Sequence, residues 1–197
     1  MAGMLFAFEG LDQSGKQTQA ELLRAALERA GRTVESLTFP SDETPIGHQI
    51  RTALDDGYEF AADVMQLLFI ANRHEHRPRI ERWLADDVVV ICDRYLASSV
   101  AYGSAFGLDA GWLLDMQRFL PAPALTILLD ISPETAVRRK SVDRDRYERD
   151  LALLERVRDA YQRLAADPSW VRIDGERPRD AIAADVFTAV SGRLAQP

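Results

Sequence analysis

Cysteine is nearly absent from this chain. Cys92 is the single one among 197 residues, which excludes an intrachain disulfide framework and suits a reducing compartment. It ends the apolar run VVVIC and is expected to be a buried structural thiol. Long hydrophobic runs are missing too, since no apolar stretch approaches the ~18 residues needed to span a bilayer. The opening MAGMLFAFEG lacks the basic start and the length of a secretory signal, so a cytoplasmic protein with no membrane partner is expected. Histidine is scarce as well. His48, His74 and His76 show no metal-ligand spacing with cysteine or a third histidine, and exposed helix positions are expected for all three. Net positive charge is lacking: the formal net charge is -7, which leaves no global basic field for a nucleic-acid backbone. A small anionic substrate would need a locally basic cleft.

What is present is enough for one core. Hydrophobic content of 47% and this length suit one domain over residues 1–197. Short apolar runs alternate with helical patterns from end to end. The runs are Met4–Glu9, Thr33–Phe39, Val88–Cys92, Leu125–Asp130 and Val171–Ile173; their near-continuous apolar character predicts strands buried on both faces. Helices are predicted over Gln17–Ala30, Phe60–Leu84, Ala97–Phe106, Asp109–Leu120, Pro133–Lys140, Asp150–Ala166 and Pro178–Leu194. Within the second, Val64, Leu67, Leu68 and Ala71 are spaced for a buried face, and Pro78 is expected to kink or divide the helix. This alternation argues for a parallel sheet with helices on both sides. The segment RRKSVDRDRYERD, residues 138–150, stands apart as dense in both charges and poor in apolar residues.

The chemistry begins at residues 9–18. Gly10-Leu11-Asp12-Gln13-Ser14-Gly15-Lys16 fits the G-x-x-x-x-G-K pattern between a strand and a helix. Glycines let successive N–H groups curl around one anion, the helix N-terminus adds its positive dipole end, and Lys16 reaches the β- and γ-phosphates. Gln17 stands where such loops place the serine or threonine that holds magnesium, and Thr18 points about 100° away around the helix. Phosphate binding is expected to survive, with magnesium held more by water and other carboxylates. Phe69 and Arg73 lie four apart on one helix face, where an aromatic plane and a guanidinium could stack on a base and donate to its carbonyl edge. A core phenylalanine beside a surface arginine is the plainer alternative. Asp93 and Arg94 follow a predicted strand directly, at the carboxyl edge where open α/β sheets bind ligands; an internal Asp93–Arg94 ion pair is the alternative there.

FEGLDQSGKQTQ, LLFIANRHE, DRYLASSVAYG and RYERD occur in this order and spacing, and together they resemble the thymidylate kinase family from residue 4 to about 175. TPIGHQIR after the second strand is similar to bacterial members. The resemblance implies a three-layer P-loop fold: a five-stranded parallel sheet of order 2-3-1-4-5 flanked by helices. It also implies the reaction ATP + dTMP → ADP + dTDP with Mg2+, and a homodimer through apolar faces of the first long helices. An acceptor region is implied over about residues 39–106 and a lid over about 140–150. The resemblance implies the following residue roles: Phe39 and Pro40 lie beside the base, Phe69 stacks on thymine and Arg73 reads it. Arg94 contacts phosphate at the reacting centre, while Asp93 orders the magnesium through water. Asp12 sits near the acceptor sugar and the metal. Ser98 and Ser99 line the pyrimidine edge, and Tyr102 lies under the sugar.

The chain departs from the family at several points. Gly103 stands where many bacterial members carry glutamine. Relatives place an arginine close to Asp42 to clamp the acceptor phosphate, and an aspartate there would repel a dianion by order 1–4 kcal/mol per charge at ~4 Å. Either the loop turns Asp42 outward, or Arg51 and Arg94 take over the clamp. Some members keep a catalytic arginine in the phosphate loop and others in the lid. Here the loop has none and the lid offers Arg144, Arg146 and Arg149, so Arg144 or Arg149 is expected on the donor phosphates, with Glu148 ordering the loop and Tyr147 beneath it. A solvated loop whose charges pair with one another is the alternative. Two rival functions stay open: a kinase of the same fold with another acceptor, and a member that binds nucleotide without turnover.

Overall fold

Five short runs rich in β-branched and aromatic residues form the strands, and each is capped by residues that turn or start a helix. The computed structural model describes residues 3–55, 60–139 and 150–195. In chain order the elements are β1 (Leu5–Glu9), α1 (Lys16–Arg29), β2 (Val34–Thr38), α2 (Pro45–Asp55), α3 (Ala62–Ala85), β3 (Val89–Asp93) and α4 (Leu96–Ala105). There follow α5 (Ala110–Asp115), β4 (Leu125–Asp130), α6 (Pro133–Arg139), α7 (Leu151–Leu164), β5 (Trp170–Asp174) and α8 (Arg179–Leu194). The strands make one sheet of order β2-β3-β1-β4-β5, parallel throughout.

Every residue of β1 and of β4 is buried, as central parallel strands between two helix layers must be. On one face Phe6, Phe8, Ile91, Ile127 and Leu129 pack with Leu23 and Leu27 of α1 and Val186 and Val190 of α8. On the other face Leu128 packs with Leu154, Val157 and Tyr161 of α7, and Ala7, Val90 and Cys92 pack with Ile80 of α3. Cys92 is wholly buried, and burial first of all pushes its thiol well above the usual range. Removing one such large aliphatic side chain to alanine costs about 2–5 kcal/mol. The layers thereby fix the carboxyl ends of β1, β3 and β4 as one rigid edge, and that edge carries the site.

Several expectations change on contact with the structure. Pro78 does not divide α3, which runs through it from Ala62 to Ala85; Pro78 is exposed, so the carbonyl it leaves unbonded one turn back is not trapped in the core. The buried face of α3 is not the expected one. Val64 and Leu67 are each 39% exposed, while Met65, Gln66, Ile70, Asn72, Arg73, His76 and Ile80 are buried. The inward face is largely polar because tertiary hydrogen bonds hold it: Asn72 accepts from the Ser41 N–H at 2.8 Å and donates to the Ser41 carbonyl at 3.1 Å. His76 is buried rather than exposed, its ring set edge-on to Phe39 with centroids 5.5 Å apart. Helix α2 was not marked by the helical pattern, and α5 is shorter than the predicted Asp109–Leu120 because turns follow it from Met116.

Candidate functional site

The site is assembled at the carboxyl edge from the loop after β1, the loop after β2, the start of α4 and one face of α3. Gly10 turns the chain out of β1 at φ 138°, and a Cβ there would stand 2.5 Å from the Leu129 carbonyl oxygen. Lys16 opens α1 and folds back over the loop. Its ammonium donates to the Leu11 carbonyl at 2.8 Å and to that of Gly10 at 3.3 Å. Burial, then the Arg94 charge, pushes its pKa down to about 8. The cation is therefore held ready but under-solvated, a state that an arriving phosphate relieves.

Two cavities flank this loop. The larger, about 600 Å³, is lined by residues 12–19, Asp93, Arg94, Arg139, Gly175, Arg177, Arg179 and Ile182. The smaller, about 260 Å³, is lined by Asp12, Phe39, Pro40, Arg51, Phe69, Arg73, Arg94, Ser98, Ser99 and Tyr102, together with Thr38, Leu54 and Gln66. Every residue that the resemblance put on the acceptor side thus meets in one cavity. Asp12, Thr38, Phe39 and Arg94 line both cavities and mark the junction between them. Arg144, Arg146, Tyr147, Glu148 and Arg149 lie outside the described residues.

Arg94 organises the junction. It follows β3 in the left-handed region at φ 64°, a conformation costing roughly 1–3 kcal/mol for a non-glycine residue. Its N–H nevertheless bonds the Phe8 carbonyl at 2.9 Å, and its guanidinium donates to Asp12 Oδ1 at 2.6 Å, Ser98 Oγ at 3.2 Å and the Tyr161 hydroxyl at 3.4 Å. Tyr102 donates to Asp12 Oδ2 at 3.0 Å, and its ring centroid lies 5.5 Å from the guanidinium carbon. Burial alone would raise the pKa of Asp12. The Arg94 and Lys16 charges and these hydrogen bonds overcome it and hold the carboxyl well below the usual range. Arg94 moves the other way: burial works against its charge, but Asp12 keeps it firmly protonated.

The expected alternative pair, Asp93 with Arg94, is not formed, because Asp12 takes the guanidinium. Asp93 Oδ1 is buried and has no hydrogen-bond partner among the described residues, and burial is the first cause that raises its pKa. Asp93 lines the larger cavity, and a carboxylate there with one oxygen unpartnered fits a metal-bound water. Gln17 and Thr18 are exposed at the rim of the larger cavity, and the Gln17 amide nitrogen donates to Glu21 at 3.1 Å.

On α3 the plainer alternative also fails. Arg73 is 3% exposed and donates to Ser99 Oγ at 2.7 Å and Gln117 Oε1 at 3.1 Å; burial, its largest cause, lowers its pKa to about 10. Phe69 is half-buried at the cavity wall. Asp42 neither turns freely outward nor faces the cavity bare. It accepts from Arg51 Nη2 at 2.8 Å and Nε at 3.2 Å, so its charge is neutralised beside the cavity that Arg51 lines.

Several contributors carry no signal in the sequence pattern. Glu9 is wholly buried and accepts from the Tyr95 and Ser98 N–H groups, from Ser98 Oγ at 2.6 Å and from the Tyr161 hydroxyl at 3.0 Å. It caps the start of α4 and braces Ser98 and Tyr161, both of which hold Arg94. Arg139, within the charged segment but not singled out by pattern, donates to the Gln13 and Gly175 carbonyls. Arg177 and Arg179 complete the basic wall of the larger cavity.

A phosphate cradle joined through Arg94 to a second, aromatic-lined cavity on this sheet order defines a protein of the P-loop nucleotide kinase class. The thymidylate kinase family model matches residues 8–186, and the chain belongs to that family. It is 33% identical to the thymidylate kinase of Plasmodium falciparum over 99% of this chain and 93% of that protein. It is 36% identical to a probable thymidylate kinase of Pyrobaculum calidifontis over 98% of each. Among solved structures, the thymidylate kinase of Candida albicans superposes with a TM-score of 0.84 at 27% identity, covering 98% of this chain and 93% of that one.

Proposed function

We propose that this chain transfers the γ-phosphoryl group of ATP to dTMP, giving ADP and dTDP. The observation that carries this reading is the junction: a donor-sized basic cavity and a base-sized cavity share Asp12, Thr38, Phe39 and Arg94. Phosphoryl transfer asks little covalent chemistry of a protein; it asks that two anions be aligned and their charge neutralised. Loop N–H groups from Gly10 to Thr18 and Lys16 hold the donor phosphates. Arg94 meets the phosphoryl group between the substrates, and Asp12 orients Arg94 and accepts from Tyr102. Phe69 stacks on the base against Phe39 and Pro40, Arg73 donates to its carbonyl edge with Ser99 behind it, and Ser98 braces Arg94. Arg51, shared with Asp42, lies on the acceptor-phosphate side. Asp93 would hold Mg2+ through water, and the ion would supply charge neutralisation for the transferring phosphoryl group. Arg144 or Arg149, outside the described residues, supplies further positive charge to the donor phosphates.

A coupled ADP-release assay with dTMP, dUMP and dCMP as acceptors tests this. Turnover with dTMP preferred is expected, and Arg144→Ala or Arg149→Ala lowers kcat at saturating substrates. A preference for another acceptor, or no ADP release with any, removes the reading; unchanged kcat in both lid variants removes the lid arginines.

We also propose a homodimer through the outward face of α3. Val64 and Leu67 are 39% exposed there, and Leu114, Met116 and Phe119 are 40–58% exposed. The second set lies beside the same helix, as His74 of α3 bonds the Met116 carbonyl at 3.1 Å and Arg77 lies over the Phe119 ring. Several large apolar side chains exposed along and beside one helix support an association site there. Sedimentation should show a dimer for the parent and a monomer for Leu67→Glu; a monomeric parent defeats the proposal.

A further inference from the structure

Gln66 and Arg73 line the smaller cavity, and each carries a buried polar atom with no partner among the described residues: Gln66 Oε1 and Arg73 Nε. One accepts and the other donates. Gln66 is 2% exposed, lines the cavity and is assigned no part in the scheme above. Gln66, Phe69 and Arg73 stand at i, i+3 and i+7 of α3, on one helical face. The remaining donors of Arg73 are engaged in part by Ser99 and Gln117, which fixes the guanidinium in place and leaves Nε free. Gly103 of α4 makes room for this arrangement. A Cβ there would stand 2.5 Å from Leu113 Cδ1 and 3.5 Å from Gln66 Cγ, so a side chain at 103 would crowd the wall that supports Gln66.

A buried polar atom left without a partner destabilises the empty protein, and a pair of opposite kind in one cavity fits a ligand that presents the complementary pair. We propose that Gln66 is a binding residue for the ring N3 edge of the acceptor base. Its carboxamide oxygen accepts the ring N3–H of a 2,4-dioxopyrimidine while Arg73 donates to the neighbouring ring carbonyl. This rests on the smaller cavity being the acceptor site. Cytosine presents the reverse pattern, an acceptor at N3 and an amino donor beside it. Gln66 could turn its amide to meet the first, but a guanidinium has no acceptor to offer the second. Uracil presents the same edge as thymine, so the pair selects against cytosine through Arg73, which has no acceptor to offer, while Gln66 reads the N3–H that thymine and uracil share.

The test uses the full chain with dTMP, the N3-methyl analogue of dTMP and dCMP as acceptors, in the parent and in Gln66→Leu and Gln66→Met. The parent should use the N3-methyl analogue at least about tenfold less efficiently than dTMP, the scale of one buried hydrogen bond. Both variants should raise KM for dTMP by about as much, leave KM for ATP within about twofold, and close the gap between dTMP and its N3-methyl analogue. Their Tm should stay level or rise, because an unpartnered buried amide has been removed. A parent that accepts the N3-methyl analogue as well as dTMP overturns the proposal, and that readout does not depend on the variants folding. Unchanged KM for dTMP in folded variants overturns it equally, leaving Gln66 as cavity wall. A parent inactive toward dTMP is a different result: it strikes the acceptor-site reading itself, and the role of Gln66 falls with it.

Discussion

Lys16→Met lowers kcat by about 10²–10³-fold, the scale of removing one preorganised charge from a transition state, and leaves the fold intact. Methionine keeps the length and apolar stem of the side chain. The atoms that lose a partner are the Gly10 and Leu11 carbonyl oxygens and Ser14 Oγ, a cost confined to the loop and outside the packed helix and sheet layers. The effect therefore reads charge rather than packing. Thermal unfolding followed beside ADP release separates the two, and kcat near that of the parent with an unchanged Tm would sink the phosphate-loop reading. A pH profile adds a second, independent readout. Burial and the Arg94 charge bring Lys16 down to about 8, so in the free protein it gives up its proton as pH rises through that value. The protonated form is the one that holds phosphate. Hence kcat/KM for ATP, which reports the free enzyme, should fall as pH rises through about 8, and this limb should be missing from Lys16→Met. Bound phosphate favours the ammonium, so the corresponding fall in kcat should move to higher pH.

The residues that make this testable differ in how plainly the sequence shows them. The strands are legible because each is a short apolar run buried on both faces, and residues 10–16 are legible because one local pattern does the whole task. Phe69 and Arg73 are legible as a pair because helical spacing is local. Glu9 is not, since its partners Ser98 and Tyr161 are 89 and 152 residues away, and nothing near Glu9 announces them. Gln66 and Gln117 are hidden for the same reason. The inward face of α3 misleads in another way: apolar periodicity assumes that the buried side is the apolar side, and here that side mixes Gln66, Asn72, Arg73 and His76 with Met65, Ile70 and Ile80. Helix α2 opens on Pro45, a favoured first helical position, and buries Ile50 and Ala53; those marks were present, but Gly47 and the short apolar stripe obscured them.

Arg94→Ala should cost more than any other single change, about 10³–10⁵-fold in kcat, as expected for a guanidinium delivered to a transferring phosphoryl group. Arg94 lines both cavities, so its charge serves donor and acceptor at once. Arg94→Lys should fail to restore most of the loss. An ammonium cannot reproduce the planar fork that reaches Asp12, Ser98 and Tyr161 together while presenting its remaining donors to a phosphate. Stability must be separated from chemistry, because the alanine variant also strands Asp12, a carboxylate that burial would push up without its partner. The cost stays below the ~3–5 kcal/mol of breaking a fully buried pair, since the Asp12 side chain keeps 31% of its surface open. Relief of left-handed strain at position 94 is not expected, as alanine has the same Cβ. Asp12→Asn combined with Arg94→Ala removes the stranded charge. That double variant should regain much of the lost Tm while kcat stays as low as in Arg94→Ala, because neutralising the neighbour does nothing for the phosphoryl group. Arg94→Ala retaining kcat within about tenfold of the parent would place the neutralising charge elsewhere at the junction.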